Sequence, residues 1–172
     1  MLKTQGFTLI ELMISFSMIS IVFVLGVSRF IEFNRVQSTS GAGQTVKNNL
    51  RRIQSLGLSG SKPIACLAAD TLEGYRVTFT DTKTYTAQAV CDSGPAGPVT
   101  TYTLPADFTF NTPLPDSFTF YVLGNGASAN RTIVIKGYAN PVMYYAMCVS
   151  TGGDIKDCGY KSVEIPSCSC PY

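Results

Sequence analysis

The stretch GFTLIELMISFSMISIVFVLGV, residues 6–27, decides the architecture of this chain. Its apolar run from Phe7 to Val27 is close to the ~20 residues that a helix needs to cross a bilayer. A removed secretory signal would be followed by an Ala-x-Ala-like cleavage site, and Gly26-Val27-Ser28 is a poor substitute for one. We therefore expect the run to be retained as a membrane helix.

A single carboxylate, Glu11, interrupts this apolar run. A charged side chain costs ~2.5–3.5 kcal/mol at the centre of a spanning helix and less near an end, so a retained acid needs a partner. If the chain is cut between Gly6 and Phe7, the new α-amine lies one helical turn before Glu11. Between two helices displaced by about one turn, the amine and the carboxylate can pair and fix the axial register.

Gly6-Phe7-Thr8-Leu9-Ile10-Glu11, behind a leader that contains Lys3, resembles the prepilin signature of type IV pilins and of the pseudopilins of type II secretion. The resemblance implies that a prepilin peptidase cuts after Gly6 and methylates the amine of Phe7. It also implies that Glu11 pairs with the N-terminal amine of an adjacent subunit. A signal anchor with a stray glutamate is the competing interpretation.

The same resemblance implies where the chain lies and what it contacts. We expect a single pass through the inner membrane, a periplasmic head, and later a place in an extracellular pilus or a periplasmic pseudopilus. The implied partners are other pilin or pseudopilin subunits, the prepilin peptidase, the inner-membrane assembly platform, and membrane lipid before assembly. No cofactor and no metal are implied.

Small and hydroxyl residues occupy two sides of the predicted membrane helix. At helical spacing one side carries Thr8, Glu11, Ser15 and Gly26, and the other carries Ser17, Ser20 and Ser28. Small residues let helices approach closely, so both sides suit a helical bundle.

The helix is predicted to continue as an amphipathic segment. Val46, Leu50, Ile53 and Gly57 recur at helical spacing, with Lys47, Asn48 and Arg51 turned away. Residues 38–43 are rich in serine and glycine, which predicts a bend or fraying there. The predicted organisation is therefore a cleaved leader (1–6), a transmembrane and filament-core helix (7–28), its amphipathic continuation (29–57) and a β-rich head (58–172).

Beyond this helix the hydrophobic period changes to two. The pattern predicts a hairpin from 75–80 and 83–90, and further strands at 99–104, 118–123, 131–137 and 142–149. One long helix followed by short strands predicts an α+β chain, with an antiparallel sheet packed against the amphipathic half of the helix. This is the arrangement of the type IV pilin fold.

The head also resembles one branch of that family. The segments YTLPADFTF, FTFYVLGNGASANRTIVIKG and CVSTGGDIKDC, between Tyr102 and Cys158, are similar to the strand pattern of FimT/GspH-like minor pilins. That branch usually has an arginine in the Thr-Gly turn, where this chain has Gly153-Asp154. The resemblance implies a minor pilin or pseudopilin, and a major pilin is an alternative.

Six cysteines lie outside the apolar segment, and they favour disulfides in an oxidising compartment. A zinc site is less favoured because the chain has no histidine and no C-x-x-C pair. The predicted bridges are Cys66–Cys91 and Cys148–Cys158. In an alternative arrangement, Cys168 and Cys170 take Cys148 and Cys158 as partners and pin the C-terminal tail.

Catalysis is not predicted. The chain lacks histidine and shows no nucleophile elbow, P-loop or dinucleotide-binding pattern. Asp154 and Asp157 lack a third calcium ligand nearby, and we interpret them as an exposed turn.

FimT-like minor pilins include DNA receptors of natural transformation, and the candidate contacts here are Arg131, Lys136, Lys156 and Lys161. From Leu58 onward, however, the charge balance is −2, so scattered solvated charges are the favoured interpretation.

Overall fold

The computed structural model describes residues 8–66, 69–137 and 142–161. Over these residues the chain forms one long helix followed by eight strands, which confirms the predicted α+β class. In chain order the elements are α1 (Leu9–Leu58), β1 (Leu72–Phe79), β2 (Thr84–Cys91), β3 (Gly94–Thr103), β4 (Phe108–Phe110), β5 (Asp116–Tyr121), a 3₁₀ turn (Val122–Gly124), β6 (Arg131–Gly137), β7 (Met143–Val149) and β8 (Ile155–Lys161).

The chain divides into two compact units, Met1–Val36 and Gln37–Tyr172. The second unit, which we call the head, therefore includes the C-terminal part of α1. The predicted apolar face of α1 is confirmed, because Val46, Leu50 and Ile53 are only 2%, 0% and 1% exposed.

Residues 38–43, predicted to bend or fray, are helical throughout. The reason is tertiary packing, which outweighs the weak helix propensity of serine and glycine. Ala42 and Gly43 are buried, and the ring of Tyr145 lies directly over Gly43, at a distance that leaves no room for a side chain.

The strands of the head form two antiparallel sheets of four, where the sequence predicted one. Sheet A has the order β3-β2-β1-β5, and sheet B has the order β4-β6-β7-β8. The predicted β1–β2 hairpin is present. Asp81 holds its turn, because its carboxylate accepts hydrogen bonds from Lys83 N, Thr84 N and the Thr84 hydroxyl. These hydrogen bonds hold the pKa of Asp81 below its usual value. The bond from the Thr84 hydroxyl contributes most, and the two backbone N–H groups contribute less.

One hydrophobic core lies between the head part of α1 and the two sheets. Aromatic rings dominate its end near the β1–β2 turn. The rings of Phe79 and Phe110 meet edge to face at 5.0 Å, and those of Tyr85 and Tyr102 stack at 4.9 Å. The Tyr85 hydroxyl accepts a hydrogen bond from Asn49 of α1, so a polar contact also joins the helix to sheet A.

Sheet B buries residues on both of its faces. Ile133, Ile135 and Met147 belong to the main core. Val134, Ala146 and Cys148 alternate with them, so they point to the opposite face, which we call the outer face. These three side chains are nevertheless only 5%, 0% and 2% exposed, and Tyr144 and Cys158 pack against them.

The disulfide between Cys66 and Cys91 is present as predicted, and it joins the segment that follows α1 to the end of β2. Cys148 and Cys158 are each disulfide-bonded, and the predicted Cys148–Cys158 pair stays a prediction. Cys148 lies opposite Lys156 in the ladder between β7 and β8. Cys168 and Cys170 lie outside the described residues.

Candidate assembly site at the start of the helix

The side chain of Thr8 defines the start of α1. Its Oγ1 accepts a hydrogen bond of 3.3 Å from the backbone N–H of Glu11, so Thr8 acts as the N-cap and Glu11 is the third helical residue. The Glu11 carboxylate lies in the first turn, where the helix dipole is positive. Glu11 is exposed, so its carboxylate is accessible to a group from outside the chain.

The capping role of Thr8 was not predicted. The sequence carries its signal, because Thr8-Leu9-Ile10-Glu11 fits the S/T-x-x-E capping-box pattern ahead of an apolar run. The predicted cleavage residues, Gly6 and Phe7, lie outside the described residues.

An exposed apolar surface follows this first turn. Every residue from Leu9 to Val24 is exposed, including Phe16 at 61% and Phe23 at 69%. The helix is long and apolar enough to cross a membrane, and none of its most apolar window is buried within the chain. Large apolar side chains exposed along several turns require lipid or another protein as their surroundings.

The serines of this segment have their hydrogen bonds satisfied within the helix. The hydroxyls of Ser15, Ser17 and Ser20 donate to the carbonyl oxygens of Glu11, Met13 and Phe16, at 2.8, 2.9 and 2.8 Å. Because these hydroxyls are satisfied, they do not oppose insertion into lipid.

The small side chain of Ser15 also leaves a shallow groove, which is lined by Leu12, Phe16 and Ile19. This groove begins at Leu12, directly after Glu11. It can receive a side chain of a neighbouring helix in the way that small residues permit close packing in membranes.

A polar contact in the head joins α1 to sheet B. Lys47 forms an ion pair with Asp157 of β8, and the Tyr145 hydroxyl donates to the second carboxylate oxygen of Asp157 at 2.7 Å. Lys47 was predicted to turn away from the core, and this contact explains why its side chain is only 15% exposed. Asp157, interpreted from the sequence as part of an exposed turn, is instead an anchor for the helix.

The electrostatics of this contact follow from its geometry. Partial burial alone would raise the pKa of Asp157, but the hydrogen bonds from Lys47 and Tyr145 and the charges of Lys47 and Arg51 outweigh it. The pKa of the Asp157 carboxyl therefore lies below its usual value. Burial is the main cause that raises the pKa of the Tyr145 phenol, and the hydrogen bond to Asp157 raises this pKa further.

The four candidate DNA contacts do not form one cluster. Lys136 and Lys161 lie on either side of Tyr144 in a single cross-strand row of sheet B, and Lys156 lies on the same face, opposite Cys148. Arg131 is instead held by Asp116, with its Nε 2.9 Å from Oδ1. The structure thus places three of the four basic residues on the outer face of sheet B.

An apolar, exposed helix with one acid in its first turn, followed by an antiparallel sheet head, is compatible with a single-pass, membrane-anchored, pilin-like subunit. Residues 1–27 match the family model of the prokaryotic N-terminal methylation motif, which supports a type IV pilin-like prepilin signature. No curated protein and no solved structure matches the chain. The motif and the fold support a pilin-like or pseudopilin-like structural subunit rather than an enzyme.

Proposed function

We propose that this chain is a minor pilin or pseudopilin that becomes part of a type IV pilus or a type II secretion pseudopilus. In this proposal a prepilin peptidase cleaves between Gly6 and Phe7 and methylates the new amine. The subunit then waits in the inner membrane with its head in the periplasm, until the assembly platform moves it into a filament. The match to the methylation motif is the single observation that carries the proposal.

Glu11 has a defined role in this mechanism. The cap made by Thr8 fixes the first turn, and the exposed carboxylate of Glu11 can therefore receive an amine from a neighbouring subunit without reorganising its own helix. In the low-dielectric centre of a filament the pairing neutralises both charges, and it sets the axial offset of the two helices. The groove beside Ser15 gives the neighbour a place to pack.

Two measurements test the proposal. The mature protein should begin at Phe7 and carry one added methyl group, as intact-mass and N-terminal peptide spectra would show. Glu11→Val should leave membrane insertion intact and abolish incorporation into filaments. Glu32→Val is the matched control, because Glu32 is also an exposed glutamate of α1, and its carboxylate pairs with Arg29 of the same helix. An intact leader, or equal incorporation of both variants, would refute the proposal.

A DNA-binding minor pilin is the second candidate. The row formed by Lys136, Tyr144 and Lys161 supports it, because lysines beside an aromatic ring can contact phosphates and stack on bases. Three lysines neutralise few phosphates, and the pairing of Arg131 with Asp116 removes a fourth contact. A gel shift of DNA by the protein at two salt concentrations tests this candidate function, and absence of DNA binding at low salt rejects it. A major pilin would instead dominate sheared filaments by mass.

A further inference from the structure

The two edge strands of sheet A differ in what lies beside them. Sheet A has the order β3-β2-β1-β5, so β3 and β5 are its edges. The turn at residues 126–128 covers the outward side of β5, because it accepts a hydrogen bond from the Tyr121 N–H and donates one to the Thr119 carbonyl, each of 2.9 Å. In the parts of the chain that the structure describes, no strand pairs with the outward side of β3. This side of β3 is therefore an open edge.

Alternate residues of β3 direct their backbone groups toward this open edge. The N–H of Leu104, which directly follows β3, donates to the Lys83 carbonyl at 2.8 Å and so faces β2. In an antiparallel ladder, residues that bond the neighbouring strand alternate with residues whose N–H and C=O point away from it. The backbone groups of Thr101 and Thr103 therefore point outward, and continued alternation places those of Val99 with them.

The second half of β3 lacks the features that normally protect an edge strand. Proteins blunt such edges with charges, prolines, bulges or very short strands. Residues 94–98 contain two prolines and lie beside a register shift in the pairing with β2. Residues 99–103 read VTTYT and contain neither a proline nor a charge, and Val99 is 54% exposed. The edges of sheet B are protected, because β4 has three residues and β8 carries lysines and an aspartate.

A cavity lies beneath the same edge, between α1 and sheet A. Its volume is about 190 Å³, and its walls include Thr100 and Tyr102 of β3 and Ile53 and Leu56 of α1. None of the described residues that line it is charged. Because strand side chains alternate between the two faces, a strand added beside β3 would direct every second side chain toward this cavity. One apolar side chain of the size of leucine fits the space.

We propose that β3 is a strand-addition site, at which an extended, uncharged segment of a different protein pairs with residues 99–103 and places an apolar side chain in the cavity. The outward backbone groups of β3 supply affinity and register, and the cavity selects the side chain. The segment is uncharged because residues 93–106 offer it no charge to pair with. A charge placed in the cavity would lose its hydration without compensation.

A second copy of this chain fits the edge less well. Two β3 strands that pair antiparallel are related by a two-fold axis perpendicular to the sheet. α1 lies along sheet A, because Asn49 bonds the Tyr85 hydroxyl of β2 and, farther along the helix, Gly57 lies against the end of β5. The axis would therefore reverse the head part of α1 in the second copy, whereas two copies anchored in one membrane present it in the same direction. This step alone rests on the proposed function.

Binding of a synthetic peptide to the full-length protein in detergent tests the proposal. The probe is KTVTLTVTK, in which threonines alternate with apolar residues and the terminal lysines maintain solubility. Bound peptide should slow the hydrogen exchange of the Thr101 and Thr103 amides, measured by nuclear magnetic resonance. The Tyr102 amide, which faces β2, should exchange slowly with and without peptide. Replacement of the central leucine of the peptide by alanine should weaken binding about tenfold, because the cavity loses its apolar side chain.

Two substitutions separate the backbone of the edge from its side chains. Thr101→Pro removes the central outward N–H and should weaken peptide binding about tenfold or more, while an edge strand tolerates proline where the N–H faces solvent. Thr101→Val is the matched control, because it keeps the N–H and should bind as the wild type does. Circular dichroism and the Tm of each variant report whether it is folded. If Thr101→Pro does not fold, the exchange pattern and the leucine-to-alanine comparison decide the question.

Several outcomes would overturn the proposal. These are equal binding by the two Thr101 variants, absence of peptide-induced protection at Thr101 and Thr103, equal affinity for the leucine and alanine peptides, and slow exchange of both amides in the peptide-free protein. In the last case, protection that increases with protein concentration would identify a second copy as the occupant. None of these measurements depends on leader cleavage or on Glu11, so failure here is distinguishable from failure of the proposed function.

Discussion

Replacement of Gly43 by alanine should destabilise the head, although alanine is the better helix former. A Cβ added at Gly43 lies 2.1 Å from Cδ1 and 2.4 Å from Cε1 of Tyr145. Non-bonded carbon atoms normally stay ~3.5–4.0 Å apart, so the ring would have to withdraw by about 1.5 Å.

Tyr145 has little freedom to withdraw. It is 3% exposed, it lies on β7 in the interior of sheet B, and its hydroxyl is bonded to Asp157. Overpacking costs ~1–3 kcal/mol, and loss of a hydrogen bond to a charged group costs ~1.5–3 kcal/mol. The better helix propensity of alanine offsets ~1 kcal/mol of these costs. The net loss should be about 2–4 kcal/mol, which for a chain of this size lowers Tm by roughly 5–15 °C.

Gly41→Ala is the matched control, because Gly41 lies in the same part of α1 and a Cβ there meets nothing within 4 Å. This variant should gain ~0.5–1 kcal/mol from helix propensity alone. The assay is thermal and urea unfolding of the full-length protein in detergent, followed by the near-ultraviolet circular dichroism of its tyrosines. Equal shifts for Gly41→Ala and Gly43→Ala would refute the packing argument. In the double variant with Gly43→Ala and Tyr145→Ala, the cost of Gly43→Ala should largely disappear. The effects of the two substitutions on the free energy of unfolding should therefore be strongly non-additive.

Two further substitutions test other contacts of the head. Asp157→Asn should cost ~1–2 kcal/mol in the unfolding free energy at neutral pH, because it removes the anion that Lys47 binds. The pKa of Asp157 is lowered from 3.8, so its contribution is complete above about pH 5 and is lost as the pH falls below 3.8. Variant and wild type should therefore converge in acid, and a constant difference would contradict the ion pair. Gly126→Ala places a Cβ 1.9 Å from the Thr151 carbonyl oxygen at a φ of +79°, and should cost about 3 kcal/mol or more in the same assay. Unchanged stability would show that the β5–β6 turn does not pack against Thr151.

The sequence predicts best those elements whose side chains follow a strict period. Val46, Leu50 and Ile53 are buried as their helical spacing requires, and β6 has the predicted bounds. The missed strands have no such pattern. β4 has three residues, Phe108–Phe110, and β8 reads IKDCGYK, where aspartate, lysine and glycine disfavour a strand. β8 forms because β7 offers it a ladder and Lys47 offers Asp157 a partner, and both are properties of the tertiary fold.

The candidate assembly site and the cysteines also differ in how well the sequence predicts them. The position of Glu11 on an exposed helix could be predicted, because a costly acid in an apolar run is visible in the sequence. The residue opposite Cys148 could not be predicted, since it depends on a one-residue register shift between β7 and β8. Periodicity determines which face a side chain occupies, but a shift of this kind changes which residues lie opposite each other.

Under the proposed function, the internal hydrogen bonds of Ser15, Ser17 and Ser20 bear on how a subunit would leave the bilayer. Because each hydroxyl already has its acceptor, passage from lipid into a filament would neither create nor break a polar contact at these positions. Between Thr8 and Ser28, Glu11 carries the only formal charge. In the proposed mechanism a subunit would therefore meet few polar barriers as it moves past its neighbours, and its single acid would mark the position at which it meets an amine.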